Sequence, residues 1–122
     1  MRRALRPYKQ PPLYCLVKNE SLVVVREMKI LHLTLKKQWF DMIANGEKKE
    51  EYREIKPYWT RRLADICAPE YDVVRFRNGY RPDSPTVTVE LEGIFSGFGR
   101  KEWGAPNKRV YILRLGRILK AP

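Results

Sequence analysis

From Met28 onward the apolar positions switch between a period of two and a period near 3.6, and each switch marks an element. Met28-Lys-Ile-Leu-His-Leu-Thr34 reads as a short buried strand carried by Ile30, Leu31 and Leu33. Leu35, Trp39, Met42 and Ile43 then recur at helical spacing, which assigns Trp39 to the core. Thr34 stands where its hydroxyl can cap this helix, and Asn45-Gly46 stops it, since glycine accepts the left-handed conformation of a C-terminal cap. A strand-like run opens at Lys48. Pro57 suits the first turn of a second helix with Trp59, Leu63 and Ile66 on one face and Arg61 and Arg62 on the other, ended by Ala68-Pro69. Tyr71 to Phe76 is the next strand, with Val74 and Phe76 facing one way and Arg75 and Arg77 the other, before a turn at Asn78-Gly79. Thr86 to Phe95 alternates, Val87, Val89 and Leu91 inward and Thr88, Glu90 and Glu92 outward. A glycine-rich loop from Ser96 to Lys108 holds Trp103, and Tyr111, Leu113 and Leu115 form a closing strand.

Several strands with two helices near the start predict an α+β domain over residues 28–122 whose sheet curls into a barrel. Residues 1–27 read differently. Pro7, Pro11 and Pro12 break any regular element, and Tyr14-Cys-Leu-Val17 and Leu22-Val-Val-Val25 flank a plausible hairpin turn. This N-terminal extension carries no assigned function.

Composition narrows the chemistry. A chain of 122 residues with 43% hydrophobic content buries one core. Its net charge of +11 favours polyanions, nucleic acid foremost. Cys15 and Cys67 are too few for a disulfide framework, and with one histidine, His32, a closed structural zinc site is not expected. His32 lies in an apolar strand pattern, which predicts a packed core residue. No apolar run is long enough to span a membrane, and the prolines at 7–12 stand where a signal peptide needs its apolar region, so a cytoplasmic protein without membrane, structural metal or cofactor is expected.

The densest chemistry lies in Gly46-Glu-Lys-Lys-Glu-Glu-Tyr-Arg53. On an extended strand Glu51 and Arg53 share a face, and Lys48 at the turn can lean toward it. An amine, a carboxylate and a guanidinium around one volume suit recognition of a polar ligand or acid/base work on it; a solvated edge strand with paired charges uses the same spacing. Basic residues also interleave with aromatics: Lys56 with Tyr58, Trp59, Arg61 and Arg62; Arg75 with Arg77, Tyr80 and Arg81; Arg100 and Lys101 with Trp103. Cations hold phosphates while rings stack on unpaired bases, the mixture that single-stranded RNA requires. Arg75 and Arg77 fit equally a sheet pairing with Glu90 and Glu92.

The octapeptide fits Gly-x-Lys-x-x-Glu-x-Arg, with Gly46, Lys48, Glu51 and Arg53 in the marked positions, and so resembles the signature of the ASCH family, small domains related to the PUA fold. The resemblance covers roughly residues 28 to 117 and implies a PUA-like curled β-barrel. Such proteins include binders of RNA or nucleotides, an amidohydrolase acting on acylated cytidine, and ribonucleases. In the amidohydrolase branch the motif lysine is catalytic and a threonine three residues later is the proposed nucleophile. Lys48 matches the lysine, but Glu51 occupies the threonine position, and a carboxylate cannot take over that hydroxyl's role. The expected function is therefore binding of RNA or a nucleotide-like ligand, with Lys48, Glu51, Arg53, Trp59, Arg75, Arg77, Asn78 and Trp103 as binding residues. The alternative is an enzyme acting on RNA or a modified nucleoside, a nuclease or amidohydrolase in which Lys48 and Glu51 are catalytic. A third class is a basic module binding an acidic protein.

Overall fold

The computed structural model describes residues 2–6 and 28–122; the expected hairpin within residues 14–25 lies outside them. The elements run β1 (Arg3–Arg6), β2 (Ile30–Thr34), α1 (Lys37–Ala44), β3 (Glu50–Glu54), α2 (Pro57–Leu63), β4 (Val73–Arg77), β5 (Thr86–Gly97), a 3₁₀ turn (Lys101–Trp103) and β6 (Val110–Lys120). Among the described residues all the strands belong to one mixed sheet in the order β2-β4-β5-β6-β3, with β1 pairing β5 off this path. β5 is long enough to carry two neighbours along one edge: β4 pairs with Thr86 to Glu90, and β1 pairs with Ile94 to Ser96. β2 and β4 are parallel and the other pairings antiparallel. The sheet curls into a half-barrel with the two helices, an α+β architecture as the sequence pattern predicts.

Alternation along the strands fills the interior. Leu31, Leu33, Val74, Phe76, Val87, Val89, Ile94 and Leu113 are buried in one cluster, closed over by Phe40 and Ile43 of α1 and Leu63 of α2. At about 25 cal/mol per Å² of apolar surface, this cluster is the main stabilising term of the domain. A smaller cluster of Tyr52, Ala105, Val110 and Ile112 lies apart from it.

Several local expectations are corrected. Thr34 ends β2 and does not cap α1; the cap position is Lys36, and its side chain makes no capping bond. Phe40, not Met42, joins Ile43 as the fully buried pair of α1. α2 stops at Leu63, where the Ala64 and Asp65 N–H groups both donate to the Thr60 carbonyl and close the helix, leaving Ile66 fully exposed. His32 is exposed, because the strand that turns Leu31 and Leu33 inward must turn the residue between them outward. Residues 2–6, given no role by the sequence pattern, add a strand to the sheet.

Candidate functional site

β2 and β3 are the two ends of the sheet and do not pair with each other. A cleft of about 480 Å³ opens along this seam. Trp39 and Trp103 contribute aromatic surface, Tyr80 stands at the rim, and Thr34, Glu51 and Arg53 supply polar groups.

The motif turn sets the geometry. Asn45 accepts from the Glu47 N–H through Oδ1 at 2.8 Å, Gly46 takes φ 86°, and the Lys48 N–H returns to the Met42 carbonyl at 2.9 Å. This hook aims the Lys48 side chain inward, where it is 2% exposed, the largest of the fully buried side chains among the described residues. Its ammonium donates to the Trp103 carbonyl at 2.6 Å and pairs with Glu51 Oε1 at 3.2 Å. It also lies 4.8 Å from the Tyr52 ring centre and 5.4 Å from that of Trp39, within cation–π range. Burial lowers the Lys48 pKa from its ordinary value, against the pull of Glu51.

Glu51 and Arg53, two apart on β3, share the inner face. Arg53 Nη1 donates to Glu51 Oε2, and Nη2 reaches across the seam to the Thr34 carbonyl at 3.3 Å. Glu51 is thus held between an ammonium and a guanidinium, one per oxygen, and a ligand would meet its remaining lone pairs. The Arg53 guanidinium stacks 5.2 Å from the Trp59 ring, which Arg62 approaches at 5.8 Å. Arg53 Nε is buried without a hydrogen-bond partner. An unmade bond of that kind costs about 1–3 kcal/mol.

The loop bearing Trp103 is pinned from below. The Tyr52 hydroxyl donates to Glu50 Oε1 at 2.8 Å and accepts from the Arg100 N–H at 2.9 Å; burial pushes its pKa up. Gly99 crosses the Tyr52 ring so closely that an added Cβ would stand 2.3 Å from Cε1. Gly104 has φ 95° and packs against Trp39, where a Cβ would stand 2.9 Å from Cζ2. These contacts seat Trp103 beside the cleft.

The structure therefore brings Lys48, Glu51, Arg53 and Trp103 together and separates the rest. Lys48 lies beneath the cleft and adds almost no surface to it, so the motif edges the cleft through Glu51 and Arg53 alone. Trp59 backs Arg53 from outside the lining. Asn78 holds the Pro85 carbonyl through its N–H, while its neighbours Gly79 and Tyr80 reach the cleft. Arg75 and Arg77 line a different recess, with Lys120. They do not pair with Glu90 and Glu92 either: the register sets them against Thr88 and Thr86, and those carboxylates engage Arg117 and Arg114. Trp39, assigned to the core by its helical spacing, both packs on the core and lines the cleft. Tyr80, which the sequence groups with Arg75, Arg77 and Arg81, is the member of that group that reaches the cleft.

Among the described residues no group of three or more His, Cys, Asp or Glu is placed to hold a metal ion, and no helix is long and apolar enough to cross a membrane. No family model and no curated protein matches the chain. Among solved structures, the chain is similar to a mutant form of the ZmASCH protein from Zymomonas mobilis, with 16% identity and a TM-score of 0.48 over 73% of this chain and 68% of that one. The likeness is one of fold alone.

Proposed function

We propose that this protein binds an unpaired base of RNA, or a nucleotide-like ligand, in the cleft at the β2–β3 seam. The observation that carries this reading is the pairing of two tryptophans in the lining with Glu51 and Arg53. Rings offer stacking surface to a flat base, and a carboxylate beside a guanidinium offers an acceptor and donors to its edge. The motif resemblance points the same way, and the net charge of +11 suits a ligand carrying phosphate. Lys48 holds Glu51 and the Trp103 carbonyl in place, from beneath. Calorimetric titration with the four 5′-mononucleotides and with a short single-stranded RNA tests the reading. Arg53→Ala removes charge-assisted hydrogen bonds worth about 1.5–3 kcal/mol, so affinity should drop by about ten- to a hundredfold. Unchanged affinity in that variant, or preference for an acidic protein over every nucleotide and RNA, overturns it.

Hydrolysis is the second reading, favoured by the 3.2 Å pairing of Lys48 with Glu51 beside the cleft. Glu51→Gln would then leave binding nearly intact while turnover of an acetylated cytidine or an RNA falls by about 10²–10⁴-fold.

A further inference from the structure

Trp103 belongs to two depressions. Beyond it from the cleft lies a groove of about 770 Å³, crossed by Arg2, Lys49, Arg100, Arg114 and Arg117, where five cations face two carboxylates, Glu50 and Glu92. Arg114 and Arg117 come from β6, Lys49 from the approach to β3, and Arg100 from the loop before Trp103. These are exposed groups on separate elements converging on one channel: Arg114 is 62% and Arg100 54% exposed. Four of the five cations have a carboxylate partner: Arg2 meets Glu50 through both Nη atoms, Arg117 meets Glu90 at 2.7 Å, Arg114 meets Glu92 at 3.4 Å and Arg100 meets Glu102 at 3.8 Å, while Lys49 has no ion pair among the described residues. Exposed ion pairs contribute only about 0–1 kcal/mol, so a polyanion can compete for these cations. Like charges gathered on one surface repel unless an anion joins them. Arg100 lies over the Trp103 ring at 4.5 Å, so the indole forms the partition between a cationic channel and an aromatic cleft.

We propose that this groove is the track for the backbone phosphates of a single-stranded RNA whose base occupies the cleft, so that the ligand is a polynucleotide and not a free nucleotide. The inference rests on the reading of the cleft as a base site. The base enters on one side of Trp103 and the adjoining phosphates lie along Lys49, Arg114 and Arg117 on the other. A channel of this kind gives affinity without sequence preference, while the cleft selects the base.

The test compares a mononucleotide with an RNA of about eight nucleotides, within the range a single binding module covers, over a series of salt concentrations. The RNA is expected to bind more tightly, with a steep salt dependence. Each cation lost from the track should flatten the log–log slope by about 0.7, hence about 1.4 for Lys49→Ala combined with Arg114→Ala. Mononucleotide affinity should stay unchanged in that double variant, and Lys49→Arg with Arg114→Lys should keep the steep slope. Removing two cations elsewhere, Lys37→Ala with Lys120→Ala, should leave the slope near that of the wild type. RNA no tighter than mononucleotide overturns the track and leaves the base site standing; failure of both to bind overturns both. An equal flattening by the Lys37 and Lys120 pair assigns the affinity to overall charge and overturns the track.

Discussion

Replacing Lys48 by methionine tests the electrostatic arrangement beneath the cleft. Methionine keeps most of the aliphatic volume, so little of the effect comes from a cavity. What disappears is the ammonium, and with it the partners of two buried acceptors: Glu51 Oε1 at 3.2 Å and the Trp103 carbonyl at 2.6 Å. Glu51 is only 6% exposed, so water cannot fully replace the lost partner. Breaking one side of a buried pair costs about 3–5 kcal/mol, a large part of the 5–15 kcal/mol that holds a domain folded. At about 4 °C per kcal/mol for a chain near this size, the melting midpoint should fall by about 12–20 °C. Denaturant unfolding followed by tryptophan fluorescence measures the change, with an unaltered m-value showing that the folded state keeps its compactness. Combining Lys48→Met with Glu51→Gln should recover about 1–3 kcal/mol relative to the sum of the singles, since the second change removes the carboxylate oxygen that lost its ammonium partner. A loss below about 1 kcal/mol, or strict additivity, would refute the claim that these groups act as a buried pair.

Three further outcomes are expected. Arg53→Lys keeps the charge but loses the planar fork that meets Glu51 and the Thr34 carbonyl and stacks on Trp59, so ligand affinity should fall by about tenfold while the melting point changes little. The native Tyr52 phenol titrates above its ordinary value of 10.0, so above pH 10 the unfolded chain releases a proton that the folded chain keeps and stability falls with pH; urea titrations should show Tyr52→Phe losing up to about 1.4 kcal/mol less per pH unit there. Gly99→Ala drives a methyl into the Tyr52 ring and should cost about 1–3 kcal/mol, with weaker ligand binding as the Trp103 loop shifts; an unchanged urea midpoint would contradict the close approach.

The order of elements was legible because period alone separates strands from helices, and because Gly46, Pro57 and the Asn78-Gly79 turn punctuate them with distinct backbone chemistry. The convergence of Lys48, Glu51 and Arg53 was legible for the same local reason, as alternation and one turn fix it. Non-local facts were not. That Lys48 ends buried depends on the Trp103 carbonyl, more than fifty residues away. The separation of Arg75 and Arg77 from the cleft depends on sheet order, which composition does not encode. His32 and Ile66 show the limits of an apolar neighbourhood: one alternates outward between leucines, and the other falls past a helix end that no strong stop signal announces. Trp39 illustrates the ambiguity of an aromatic at helical spacing, because the same indole packs on the core with one part and meets the cleft with another.

Among the described residues the sheet ends in two strands that each pair on one side only, and such free edges offer rows of backbone groups to another chain, a standing hazard for edge-to-edge association. Here the Arg53 guanidinium spans the gap to the Thr34 carbonyl, so a charged side chain occupies the position where an intruding strand would dock. Inward-facing charge next to an open edge deters such pairing, since an added strand would have to bury it. The residues proposed to receive a ligand thus also guard the protein against itself. Apolar replacements at Glu51 and Arg53 would remove the proposed ligand site and leave the seam open to a second copy of the chain.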